Sequence, residues 1–143
     1  MMNKIANICF SLVMALFLGG AAFGCPAGDD CPATEITINS FGIEGRVVLV
    51  DRGRQRRAGW VTVDAFYFRQ GEWQSIGSSS SFGSFGWEAD VVGTYKFIVR
   101  HEGVKPATLI LNVRRLKGKW NEFVVALKAD GCARARLTRV GVP

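Results

Sequence analysis

Trp60-Val61-Thr62-Val63-Asp64-Ala65-Phe66-Tyr67-Phe68-Arg69 decides the fold. Val61, Val63, Ala65 and Tyr67 alternate there with Thr62, Asp64, Phe66 and Phe68. Successive side chains of a strand point to opposite faces, so this stretch predicts a strand with one side on a core and the other mixed. Its β-branched and aromatic residues suit a pleated, half-buried surface. A helix would space its apolar residues three and four apart, and no stretch after residue 24 sustains that period.

Working outward, the same signal recurs between turn formers. Upstream, residues 43–50 form a strand, with a short one at 36–39 before it and the turn Asp51-Arg52-Gly53-Arg54 after it. Downstream, a tight Gln70-Gly71 turn leads to a strand over 72–77. The serine run 78–81, with Gly83 and Gly86, reads as a flexible loop, and 85–91 as a further strand. Tyr95, Phe97 and Val99 then alternate with Lys96, Ile98 and Arg100. Leu109, Leu111 and Val113 do the same, as do Phe123, Val125 and Leu127. Residues 131–140 read as a short helix or an extended tail. Seven short strands with regular turn signals predict an all-β, antiparallel β-sandwich. An immunoglobulin domain is disfavoured, because its core tyrosine two residues before the second cysteine is replaced here by Asp130 ahead of Cys132.

The N-terminus carries an address. Lys4 precedes an apolar run over 5–18, and Gly19-Gly20-Ala21-Ala22-Phe23-Gly24 leads to Cys25. Charge, apolar stretch and small-residue exit are the build of a secretory signal peptide over 1–24, and the run is short of the roughly 20 residues that span a bilayer. Ala22 and Gly24 satisfy the ordinary small-x-small cleavage rule. The same stretch resembles a bacterial lipobox, in which the cysteine becomes the lipid-bearing first residue. Ala22 and Phe23 depart from that pattern, which prefers leucine and then a small residue. Export leaves Cys25, Cys31 and Cys132, an odd set in a compartment that favours pairing. A lipid on Cys25 would free Cys31 and Cys132 to join the two ends of the domain; a Cys25–Cys31 bridge with Cys132 free is the other arrangement. The 119 residues from Cys25 onward make one domain, large enough for its own core. Residues 25–40 read as a tether, 41–130 as the sandwich and 131–143 as a tail.

One group of residues matches something specific. Gly45-Arg46-Val47, Asp51-Arg52-Gly53 and Ala58-Gly59-Trp60-Val61-Thr62-Val63 resemble the opening of carboxypeptidase regulatory-like domains. Gly86-Trp87, Gly93-Thr94-Tyr95-Lys96-Phe97, Glu102-Gly103-Val104 and Val124-Val125-Ala126-Leu127 continue the resemblance over about residues 43–128. Ser84 departs from it, where many members carry an acid. The resemblance implies a seven-stranded, transthyretin-like (prealbumin-like) sandwich. It also implies a non-catalytic role, since the carboxypeptidases bearing such domains keep their zinc in a separate domain.

The raw material for catalysis is thin. His101 is the only histidine, so no three-histidine metal site exists in the chain. A Ser/His/Asp set could be assembled from residues 78–81, His101 and Asp90, but no strained nucleophile turn surrounds it. His101 is expected at the surface. Purine-pathway hydrolases on transthyretin-like folds use several histidines and a Tyr-Arg-Gly-Ser tail, absent here. The chain is therefore expected to be no enzyme and to carry no metal or cofactor.

Binding has better candidates. Trp73, Phe82, Phe85 and Trp87 gather around the serine-glycine run, and ring faces beside polar loops stack on sugars or apolar side chains. Two or more of them are expected in the core, leaving an exposed pair for a glycan or protein contact. Arg52, Arg54, Arg56 and Arg57 lie on the first hairpin connection, and Arg114, Arg115, Lys117 and Lys119 on the last. If hairpin ends merged at one end of the sandwich, these would form a patch for anionic polymers or lipid headgroups. The chain's net charge of +6 falls to +5 once Lys4 leaves, which suits an anionic envelope surface and not, in an exported protein, nucleic acid. The function expected is a binding or structural module at the cell envelope, periplasmic or cell-surface and membrane-held through the lipid. The alternatives are an accessory subunit of a larger secreted enzyme and a small hydrolase. A dimer through exposed edge strands is also expected to be open to such a domain.

Overall fold

The computed structural model of the protein describes residues 31–118 and 120–139. The leader, Cys25 and Lys119 lie outside the described residues. From Cys31 onward the chain forms a compact unit, and the described residues are all β, with no helix among them.

Ten strands make two sheets that pack face to face. The first has the order β1 (Thr34–Ile38), β8 (Ala107–Val113), β7 (Gly93–Arg100), β4 (Trp60–Arg69) and β5 (Glu72–Phe82). The second runs β10 (Arg134–Arg139), β9 (Asn121–Lys128), β2 (Gly42–Asp51) and β3 (Arg54–Arg57). There β6 (Ser84–Glu88) pairs with the first half of β2, and β3 with its second half. The inward residues are those that the alternation selects: Val61 and Val63, Phe97 and Val99, Leu109 and Leu111, Val47, and Phe123, Val125 and Leu127 are all buried. Each such side chain stabilises the fold by roughly 1.5–3 kcal/mol relative to exposure.

Four differences from the sequence reading have physical causes. First, ten strands stand where seven were expected, and two pairs, β1 with β8 and β2 with β9, are parallel. No hairpin joins either pair, so no short turn forces the antiparallel sense. Second, the serine run is no loop: Ser78, Ser79, Ser80 and Ser81 pair with Asp64, Val63, Thr62 and Val61. Ladder hydrogen bonds come from the backbone, and a well-formed neighbour strand overrides weak side-chain propensity. The register slips once, between Ala65 and Phe66, leaving Ile76 as an unpaired bulge residue. Third, residues 134–139 of the expected tail are a strand pairing with β9. Fourth, the short strand expected at 36–39 is β1, but it starts at Thr34, inside the expected tether, and pairs with β8.

Cys31 and Cys132 form a disulfide with their Cα atoms 5.3 Å apart, inside the normal range for the bond. It joins the segments leading into β1 and β10. Elsewhere two glycines permit close approaches. A methyl group on Gly45 would lie 2.5 Å from the Phe85 ring, and at Gly83, where φ is +68°, it would meet the Ala58 carbonyl at 2.6 Å.

Candidate functional site

The outward face of the first sheet is unusual for its aromatic content. Position by position, β4 sets Trp60, Thr62, Asp64, Phe66 and Phe68 outward against Phe82, Ser80, Ser78, Ser75 and Trp73 of β5. The face therefore has a ring cluster at each end and hydroxyls between.

At one end Trp60 and Phe82 meet edge to face, centroids 5.9 Å apart, and both stay largely in solvent at 68% and 54% exposure. Arg57 braces them: its guanidinium lies 5.6 Å from the Phe82 ring centroid and donates to the Phe82 carbonyl at 3.0 Å. His101 adjoins, with Nδ1 2.9 Å from the Trp60 carbonyl. A carbonyl only accepts, so Nδ1 carries the proton there. At the other end Phe68 and Trp73 pack at 5.0 Å, and the Lys96 ammonium sits 4.8 Å from the Phe66 ring and 4.5 Å from the Trp73 ring. Such cation–π contacts hold the long lysine stem in one place.

Between the clusters runs a polar strip. The Ser78 hydroxyl donates to Asp64 Oδ1 at 2.8 Å, and Arg100 Nε donates to Asp64 Oδ2 at 3.1 Å. Together the Ser78 hydrogen bond and the Arg100 guanidinium hold the Asp64 carboxyl below the usual carboxylate range. Thr62 and Ser80 share a hydrogen bond beside it, at 3.3 Å. From Trp60 to Phe68 the strand spans roughly 26 Å at about 3.3 Å per residue. Rings at both ends of a strip of donors and acceptors form a platform for an extended polar ligand with apolar faces.

The four aromatics singled out from the sequence do not stay together. Phe85 is buried, 5.7 Å from the Phe123 ring and 6.3 Å from Phe97. Trp87 packs on Tyr95 and Phe97. Phe85 thus belongs chiefly to the core; it alternates inward because β6 pairs it with Gly45. Trp73 and Phe82 fall on the outward platform, at opposite ends. Two open clefts, of about 410 and about 220 Å³, share Phe85 and Gly86 in their linings where the sandwich gapes between β5 and β6.

The two basic groups do not merge either. Since β2 and β9 run parallel, from Ile43 beside Asn121 to Val50 beside Lys128, the Arg52–Arg54 turn and the 114–120 connection lie at opposite ends. That separation is roughly 23 Å along the strands. Asp90 and His101 likewise flank opposite ends of β7, so the serines, His101 and Asp90 are not brought together. His101 is half-buried, not fully at the surface. Among the described residues no three of His, Cys, Asp and Glu cluster.

Trp60, Phe66, Phe68 and Lys96 are the platform residues that sequence reasoning missed. The signal was present: they are aromatic or long side chains in the solvent-facing set of an alternating strand. No family model matches the chain, and no curated protein matches it either.

Proposed function

We propose that the protein is a non-catalytic binding module of the bacterial cell envelope that holds glycan chains on the outward face of its first sheet. It resembles a carboxypeptidase regulatory-like domain, is exported behind residues 1–24 and is held at a membrane by lipid on Cys25. The observation that carries the reading is the Trp60–Phe82 pair, two large rings kept in solvent on a sheet face otherwise lined by hydroxyls and a charged pair. Isolated apolar residues at a surface need no explanation, but braced rings beside fixed donors and acceptors suit sugar stacking. The disulfide between Cys31 and Cys132 supports an oxidising compartment. The unpaired outer edge of β5 also makes a dimer through that edge part of this reading.

The test is retention on insoluble cell-envelope glycan. Wild-type protein should sediment with it, and Trp60→Ala/Phe82→Ala should retain the fold and lose most of the binding. Equal retention of the two proteins would end the glycan reading.

A further inference from the structure

The outward face of the second sheet is built from other materials. Across four strands, Arg134, Ala126, Val48 and Arg57 stand in one row. Arg136, Val124, Arg46 and Ser84 stand in the next. Lys128 and Val50 lead these rows, and Glu122 and Glu44 follow them, with Arg139 paired to Glu122 at 3.7 Å. These positions alternate with buried residues such as Val47, Leu49, Val125 and Leu127, so they face out, although Val48 is itself covered. Among the described residues, Arg46, Lys128, Arg134 and Arg136 have no carboxylate partner.

We infer that this face seats on an anionic phospholipid surface. Arg46, Lys128, Arg134 and Arg136 form a two-dimensional array, roughly 10 Å across the strands and about 13 Å along them. Such an array matches a plane of headgroups better than a single polymer chain, which would engage one line of charge. The residues among them, Val50, Val124 and Ala126, are short and raise no wall that would hold the face off a bilayer. At the carboxylate end Trp120 lies over Gly42 and Gly86, within 3.0–3.4 Å of where their outward Cβ atoms would be, and is 37% exposed. Position agrees as well. The Cys31–Cys132 disulfide lies just before Arg134, and the six steps from Cys25 to Cys31 extend to at most about 21 Å. A lipid on Cys25 would therefore keep the domain within reach of the bilayer, and the charge of the second face would decide which side turns to it; in that respect the inference rests on the lipid-anchor reading.

The experiment removes that dependence. The compact unit from Cys31 to Pro143, which lacks Cys25, is sedimented with phosphatidylcholine vesicles containing none or about 30% phosphatidylglycerol. It should partition onto the anionic vesicles only, and lose at least about tenfold in affinity between low salt and about 0.5 M salt. Each basic residue at an anionic surface contributes about fivefold, so Arg134→Glu/Arg136→Glu should lower partition about 25-fold or more. Arg134→Lys/Arg136→Lys keeps the charge and should keep the binding, which separates lost charge from a damaged fold. Arg69→Glu/Lys105→Glu makes the same charge change at the end of β4 and in the β7–β8 connection and should shift partition less than threefold. Equal binding to both vesicle types, no response to Arg134→Glu/Arg136→Glu, or capture of a soluble polyanionic polysaccharide without vesicle binding would overturn the inference. Intact mass of the exported full chain tests the anchor separately: an unmodified Cys25 would end that reading without touching the vesicle result.

Discussion

The two outward faces of this sandwich share one core and differ in nearly everything else. The first displays rings and hydroxyls, with its main carboxylate neutralised by Arg100. The second displays Arg46, Arg134 and Arg136 over short aliphatic residues, with Trp120 exposed at one end. Both are strand surfaces of similar extent, so backbone geometry does not separate them. Chemistry at alternate positions does: an aromatic at every second or third outward site makes a stacking surface, and an arginine at those sites makes an electrostatic one.

The strongest way to break the comparison is through what the faces share. Phe97 is buried between the sheets, against Phe85 and Trp87. Phe97→Ala should cost about 3–5 kcal/mol, read by urea denaturation, and should abolish both faces together. Loss of one face with survival of the other would show two separately folding halves.

The disulfide comes next. Cys31→Ser/Cys132→Ser removes a link between residues 101 apart in sequence and should lower stability by about 2–5 kcal/mol. Hydrogen exchange should quicken first in β1 and β10. The second face would loosen before the β4–β5 platform; uniform loosening would deny the asymmetry.

A smaller effect sharpens the first face. Trp60→Ala/Phe82→Ala should change thermal stability by less than about 1 kcal/mol, since both side chains are largely exposed. The smallest effect is the pH response of the polar strip. Asp64 ionises more readily folded than unfolded because Ser78 and Arg100 stabilise its charge. Its contribution is therefore present above the unfolded value near pH 4 and is lost as pH falls through the lower folded value. Asp64→Asn should be less stable than wild type at about pH 7, with the gap closing by about pH 2. A gap independent of pH would exclude the charged pair as its source.

The layered architecture and most of the core were legible from alternation alone, because burial on one face leaves a period of two in Val61, Val63, Phe97, Val99, Leu109 and Leu111. The serine strand was not legible, since its pairing with β4 is long-range and its side chains carry no apolar period. β10 was hidden for a related reason: in Arg134-Ala135-Arg136-Leu137 the inward residues are partly exposed and the outward ones are arginines. The platform was half legible. Trp73 and Phe82 were found by clustering in sequence, but only strand register shows Trp60 opposite Phe82 and sends Phe85 inward.

Retention on insoluble envelope glycan, measured side by side for Trp60→Ala/Phe82→Ala and Arg134→Glu/Arg136→Glu, separates the faces most directly. The first variant should lose most of its retention, and the second should hold sugar as wild type does. Equal losses, or a loss confined to the arginine variant, would contradict a division of labour between the two sheets.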